Sequence, residues 1–462
     1  MDDDPEFYAD ENYFMDDYNQ ENQYESLGSS PEYENISDVF SLCVIPSTNL
    51  ISFFILPFLA AALFFRIISY SNYFSSYMFH AISTVLGLYI MVLYALECLH
   101  LLLAFIISSY FVLYFPRKYR TGMCVFVPSF LIILYCELFM DPVVWHSCRI
   151  IIMTAAMKSI SVAVDIDGSS IRMPKFLPYC GYMLCPLNTY FGTWISFKDY
   201  LSLRENDETV CLNNWALLMI AGYLCSAFLF LSASNCWVQW FISDKSWMWV
   251  RAYRDALSFR CSHYFISFTS SALLSLGGYP LAKSVITKPL KIEFPRSLVE
   301  VVIYWNIPMH MWLKKYVFRP MLEQLGKFGA VTLTFSASAL LHGVNFQLAA
   351  VLLSLGFYTY VEYQLRNIFA TTFNACIASK ICVRERCEHM YNSQNCKWTV
   401  IANIIFSCIT IFHLAYLGVM FDGSESQDTG YSYSHTLEKW SELGYKSHWL
   451  ALASYCVYFL IK

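Results

Sequence analysis

Apolar residues run along this chain in blocks long enough to cross a bilayer, and polar residues punctuate them. The first block is 48–65, TNLISFFILPFLAAALFF, closed by Arg66. The next, 81–115, exceeds one crossing, for which roughly 20 apolar residues suffice. It predicts two helices that reverse near Glu97 and His100. Further spans are predicted at about 122–139, 214–233, 399–419 and 447–461. Residues 328–363 form a block that as a single helix would measure about 54 Å at 1.5 Å per residue, so it is expected to break, at Gly343 and Asn345.

Two stretches are mixed. Residues 141–200 place Arg149, Lys158, Asp165 and Asp167 among apolar residues at helical spacing, and 245–312 is similar. Charges this dense at membrane depth point to helices buried in protein, lining a wet cavity, or lying at the interface.

Composition supports the same class. The chain is 57% hydrophobic and 14% charged, against about 25% charged in soluble domains. Alternating segments of a β-barrel are not seen. The expected fold is an all-α polytopic membrane protein in two parts: an acidic, disordered tail over 1–44 and one membrane domain over 45–462. No internal repeat, Gly-rich phosphate loop or nucleic-acid-binding signature is found. The tail carries thirteen Asp and Glu and no Lys or Arg through residue 38, the reverse of a secretory leader, so no signal peptide is expected.

Charge also predicts orientation. Arg66, the basic PRKYR at 116–120, the Lys314–Lys327 segment and the 366–397 loop (Arg366, Lys380, Arg384, Arg386, Lys397) read as cytosolic. The acidic run after residue 420 reads as lumenal. The N-terminus is then lumenal, the C-terminus cytosolic, and the number of spans odd, nine or eleven. Asn35-Ile36-Ser37 is a glycosylation sequon on the lumenal side.

The seventeen cysteines show no spacing that predicts a disulfide framework. Cys376, Cys382, Cys387 and Cys396 cluster with His389. They read first as free thiols in a loop. S-palmitoylation of Cys376, Cys382 and Cys387 comes second, and zinc last, because the spacing fits no familiar zinc pattern. No metal site is expected.

Candidate chemistry sits in ASALLHGVN, 337–345, where His342 interrupts an apolar run. Alone, it reads as a hydrogen-bonded core histidine or as a general base, since its ordinary pKa of about 6.5 suits proton transfer near neutrality. Asn306, in YWNIPMHMW, reads as a helix start with Pro308 in its first turn, or as a group that orients a carbonyl.

The Trp-Asn-x-Pro setting of Asn306, followed by a histidine in a long apolar segment, resembles the membrane-bound O-acyltransferases. The segments 145–167, 192–197, 250–259, 288–318, 336–366, 411–422 and 439–449 tighten the likeness to the branch that acylates Wnt proteins. It covers nearly all of 48–462. Thr193 departs from the Pro of that branch's Gly-Pro-Trp-Ile-Ser-Phe segment. The resemblance implies 9–11 transmembrane helices, with interfacial or re-entrant helices, around an acyl-CoA tunnel. It implies an endoplasmic-reticulum enzyme that moves a palmitoleoyl group from palmitoleoyl-CoA to a Wnt serine, amid membrane lipids and with no permanently bound cofactor. His342 and Asn306 match the catalytic pair. Trp305, Arg296, Lys314, Lys315 and Ser338 are carried as substrate-binding candidates. Rival readings are a family sibling acting on a lipid or another peptide, and a transporter or scaffold without chemistry.

Overall fold

The computed structural model of the chain describes residues 35–71, 73–114, 121–205, 212–343, 345–382, 387, 389–392, 396–421 and 433–462. The acidic tail through residue 34, PRKYR, Arg384, Arg386 and the acidic run 422–432 lie outside the described residues.

The described residues are almost wholly helical, and the chain is a multi-pass membrane protein. Five helices are long and apolar enough to cross a bilayer: α1 (Ile36–Tyr70), α2 (Ser76–Tyr94), α3 (Leu96–Leu113), α8 (Asn214–Phe241) and α14 (Lys397–Gly418). Between α3 and α8 come α4 (Thr121–Phe139), α5 (Pro142–Asp167), α6 (Phe176–Met183) and α7 (Phe197–Glu205). After α8 come α9 (Met248–Leu276), α10 (Leu298–Trp305), α11 (Ile307–Leu313), α12 (Arg319–Leu341) and α13 (Phe346–Thr372). The last two are α15 (Tyr433–Glu442) and α16 (Lys446–Ile461).

Helix α1 starts at Ile36, nine residues ahead of the boundary expected at 45, and passes through a π-turn at Val39–Val44. The 81–115 block reverses at Ala95, just before the expected point. His80 and Ser83 of α2 and Ser109 and Tyr110 of α3 all bond to residues 174–200, so α6 is wedged between the two arms. The long block breaks as expected: α12 ends at Leu341, and Asn345 caps α13 by accepting from the Leu348 N–H. Helix α12 is itself interrupted at Gly326, whose φ of +65° a side chain would oppose.

The mixed helix α5 is the centre of the molecule. Every residue from Ile151 to Ala163 is buried. Lys158 is fully buried, and its Nζ donates to the Tyr182 carbonyl at 3.0 Å, the Met183 carbonyl at 3.1 Å and Asn188 Oδ1 at 2.9 Å. Three acceptors offset much of what burying an ammonium costs, and they tie segment 182–193 to α5. Asn188 passes the network on to the Thr193 carbonyl. A proline at 193 presents the same carbonyl, so this departure from the family pattern leaves the bond intact.

The cysteine spacing predicts no disulfide framework, and one bridge forms in the structure: Cys43 of α1 is bonded to Cys236 in the π-turn of α8, across 193 residues. Spacing gives no warning of a bridge between two apolar helices that meet only in the fold. Helix α1 then runs to Arg66, whose guanidinium donates to the Ser275 and Leu276 carbonyls at the far end of α9. Gly418, at the end of α14, packs on Ala256 near the start of α9. The start of α14, and the cysteine loop before it, therefore lies at the end of the bundle opposite Cys43–Cys236.

Candidate active site

Asn306 caps α11. Its Oδ1 accepts from the Met309 N–H at 3.0 Å, and Pro308 occupies the first turn, where a missing N–H costs nothing. The helix-start reading of this asparagine is thus part of the structure, and the cap uses its oxygen, not its NH2 group. Just before it, Trp305 lies flat on His263 of α9, with ring centroids 4.3 Å apart and planes 6° apart. His263 Nε2 donates to the Trp305 carbonyl at 2.9 Å. A carbonyl only accepts, so Nε2 carries the hydrogen and a neutral ring keeps Nδ1 as an acceptor.

His342 ends α12, its N–H bonded to the carbonyls of Ser338 and Ala339. It lies within electrostatic range of His263 and of Arg149 on α5. Gly343, at φ +94°, lets the chain turn over the Glu137 carboxylate: a Cβ there would fall 2.1 Å from Glu137 Oε2. That same oxygen accepts from Trp145 Nε1 at 2.6 Å. Glu137 and Trp145 thus stand beside Gly343, His263 and Trp305 stand beside Asn306, and His342 lies within electrostatic range of the second group.

From Asn306 the chain continues along α5. Trp312 Nε1 donates to the Met157 carbonyl, Lys315 Nζ pairs with Asp165 Oδ1 at 2.7 Å, and Tyr316 donates to Asp165 Oδ2. A narrow apolar cleft opens between these helices and α12, lined by Phe126, Phe130, Ile133, Trp312, Leu340 and Leu341. It leads to the residue before His342.

The other candidates divide. Ser338 is buried one turn before His342. Lys314 is exposed at the end of α11, with Lys380 also in electrostatic range of His310. Lys315 is half exposed but held by Asp165. Arg296 is engaged elsewhere: its Nε donates to the Ala378 carbonyl and its Nη2 to the Cys376 carbonyl, docking the cysteine loop. Sequence reading passed over His263, Glu137 and Trp145. A histidine flanked by Ser262 and Tyr264 in a mixed helix carries no signal of its partner forty residues on.

A family model described as MBOAT, membrane-bound O-acyltransferase family, matches residues 135–417. This chain belongs to the membrane-bound O-acyltransferase family. The match takes in α5, α9, α11, α12 and α13, and so both His342 and Asn306. Among curated proteins, the chain is similar to the protein-serine O-palmitoleoyltransferase porcupine of Homo sapiens, 37% identical over 421 residues, 84% of this chain and 89% of that one. The protein of the same description from Anopheles gambiae is 38% identical over 349 residues, 70% of each chain. Lysophospholipid acyltransferase 2 of Arabidopsis thaliana is 24% identical over 207 residues, 38% of this chain and 44% of that one. An O-acyltransferase of this family needs an acyl donor and a hydroxyl acceptor, and the matched segment contains both His342 and Asn306.

Proposed function

We propose that this enzyme is a protein-serine O-palmitoleoyltransferase, taking its acyl group from palmitoleoyl-CoA and placing it on a serine of Wnt proteins in the endoplasmic reticulum membrane. The reading is supported by His342 standing within electrostatic range of His263, which holds the carbonyl just ahead of the Asn306 cap, in a chain similar over most of its length to relatives of that description.

In this reading His342 is the general base. It takes the proton from the serine hydroxyl as the oxygen attacks the thioester carbonyl carbon. The carbon–sulfur bond breaks, and coenzyme A leaves as a thiolate that recovers the proton from the imidazolium. The Asn306 NH2 group positions the thioester carbonyl. Lys314 and Lys380 supply positive charge where anionic coenzyme A arrives.

Orientation follows the charge pattern. The N-terminus and the Cys43–Cys236 bridge face the lumen, where disulfides persist. The Lys314 end and the C-terminus face the cytosol, so donor and acceptor reach His342 from opposite sides.

The test is transfer of an alkynyl cis-unsaturated acyl group from coenzyme A to a Wnt peptide holding its acceptor serine, using purified wild type and His342→Ala. Signal in the first, with loss of about 100-fold or more in the second at unchanged acyl-CoA binding, supports the reading. Equal signal in both leaves His342 a core histidine. Transfer to a lysophospholipid but not to the peptide assigns a different acceptor.

A further inference from the structure

The cysteine loop outside the active site holds a second arrangement of chemical groups. Cys376, Cys382, Cys387 and His389 are separated in sequence by five, four and one intervening residues. In space one ligand atom from each lies within 4.8 Å of all the others. His389 Nδ1 is 3.5 Å from Cys382 Sγ and 3.6 Å from Cys387 Sγ.

We infer that these four side chains bind a single Zn2+ ion. Tetrahedral zinc holds sulfur at about 2.3 Å and imidazole nitrogen at about 2.0 Å, which sets a ligand sulfur and a ligand nitrogen about 3.6 Å apart. Both sulfur–nitrogen distances to His389 have that value. Three thiolates and one neutral imidazole form a closed structural set, with no position left open for water. Binding removes one proton from each of the three thiols and leaves the complex one negative charge. The thiols are unbridged, whereas Cys43 and Cys236 at the opposite end of the bundle are oxidised. A reducing compartment that keeps such thiols free is also the setting in which cysteine clusters serve as metal ligands.

The loop is built to hold this geometry. A parallel bridge joins Ala375 to Tyr391, with the Cys376 N–H donating to the Tyr391 carbonyl at 2.8 Å. The Cys376 carbonyl accepts from Arg296 Nη2 and Asn403 Nδ2, and the Ile377 carbonyl from Arg366 Nε at 2.7 Å. Ser297, which caps α10, donates to the Ser379 carbonyl. The ion therefore fixes a knuckle that carries the start of α10, the helix that ends at Asn306. Neighbouring Cys396 caps α14 and stays outside the ligand set.

The experiment uses the full-length protein purified in detergent without chelator. Mass spectrometry of metals is expected to find about one zinc per chain. The Cys382→Ser and Cys387→Ser variants are expected to lose it, and Cys396→Ser to keep it. Misfolded variants would blur that contrast, so two further measurements use the wild type alone. Exchange into Co2+ should give the visible bands of a tetrahedral thiolate site. Iodoacetamide should leave Cys376, Cys382 and Cys387 unmodified until a strong chelator is added. Absence of zinc, equal alkylation with and without chelator, or iron with acid-labile sulfide would each overturn the inference. Hydroxylamine-sensitive acylation of these cysteines would also overturn it, because an S-palmitoyl sulfur has no thiolate to give.

Discussion

His263 and Trp305 lie face to face, and the imidazole also holds the Trp305 carbonyl from above. One side chain of α9 thus fixes the backbone immediately ahead of Asn306 while standing near His342. With Nε2 committed to that carbonyl, we propose that the ring acts as a positioning group and leaves the role of base to His342. His263→Phe keeps a stacking surface and removes the hydrogen bond, which leaves a buried carbonyl without its donor at about 1–3 kcal/mol. We expect turnover to fall about 10- to 100-fold, with acyl-CoA affinity nearly unchanged. Initial rates against acyl-CoA concentration separate the two; a change confined to affinity would place His263 in the donor site instead.

Asn306 has two duties that substitution can divide. Serine accepts the Met309 N–H as a cap but offers no amide NH2. Asn306→Ala loses both, and the cap alone is worth about 1 kcal/mol of stability. Asn306→Ser should keep the wild-type melting temperature and still lose about 100-fold in acyl transfer. Full activity in the serine variant would reduce Asn306 to a helix cap.

Gly343 is required on two counts. Its φ of +94° is strained for any L side chain, and the methyl of alanine would collide with the Glu137 carboxylate. Gly343→Ala should destabilise by more than about 1 kcal/mol and displace His342, with activity falling further than stability explains. Thermal unfolding and rate, measured on the same preparation, check both. Adding Glu137→Ala relieves the collision but not the backbone strain, so recovery in the double variant should be partial.

Much of this architecture was legible because lipid forces long apolar runs. The break in 328–363 followed from length alone, and the charges of α5 excluded a lipid-facing span but left a buried and an interfacial helix open, of which the fold takes the first. Asn306 and His342 were legible because polar groups are rare in such surroundings. His263, Glu137 and Trp145 were not, since a polar residue in a mixed helix looks alike whether it faces a partner or a wet cavity. Arg296, carried as a substrate-binding candidate, is directed by the fold to two loop carbonyls, a partnership its sequence neighbours do not announce. The Cys43–Cys236 bridge is a product of tertiary approach, which local spacing does not encode, whereas the grouping of Cys376, Cys382, Cys387 and His389 was visible in the sequence and only its convergence in space was not.

The bridge yields a test of orientation. Asn35 lies at the same end of α1 as Cys43, so the sequon and the disulfide report on one face of the membrane. Peptide mapping without reductant should recover Cys43 linked to Cys236, and a tag ahead of Asn35 should resist protease in intact microsomes. A glycan on Asn35, detected as an endoglycosidase shift lost in Asn35→Gln, would mark that face as lumenal. A tag reachable from the cytosol would reverse the orientation and with it the side from which each substrate arrives.

Arg366 concentrates more structural load than any other described cation near the cysteine loop. It is fully buried, pairs with Glu362 at 3.0 Å, and donates to the Ile377 and Arg296 carbonyls and to Asn403 Oδ1. Glu362 in turn accepts from the Leu298 N–H at 2.7 Å, at the start of α10. Arg366→Leu strands a buried carboxylate, a change that costs about 3–5 kcal/mol when one partner of such a pair is removed. Lysine cannot replace it, because a single ammonium does not reach acceptors set around a planar fork. Both variants should therefore unfold at markedly lower temperature than wild type. Glu362→Gln, which keeps an acceptor for Leu298 and relieves the unpaired charge, should restore part of the loss when combined with Arg366→Leu. Melting curves of the three variants in detergent decide it, and an additive double variant would show that the pair is not energetically coupled.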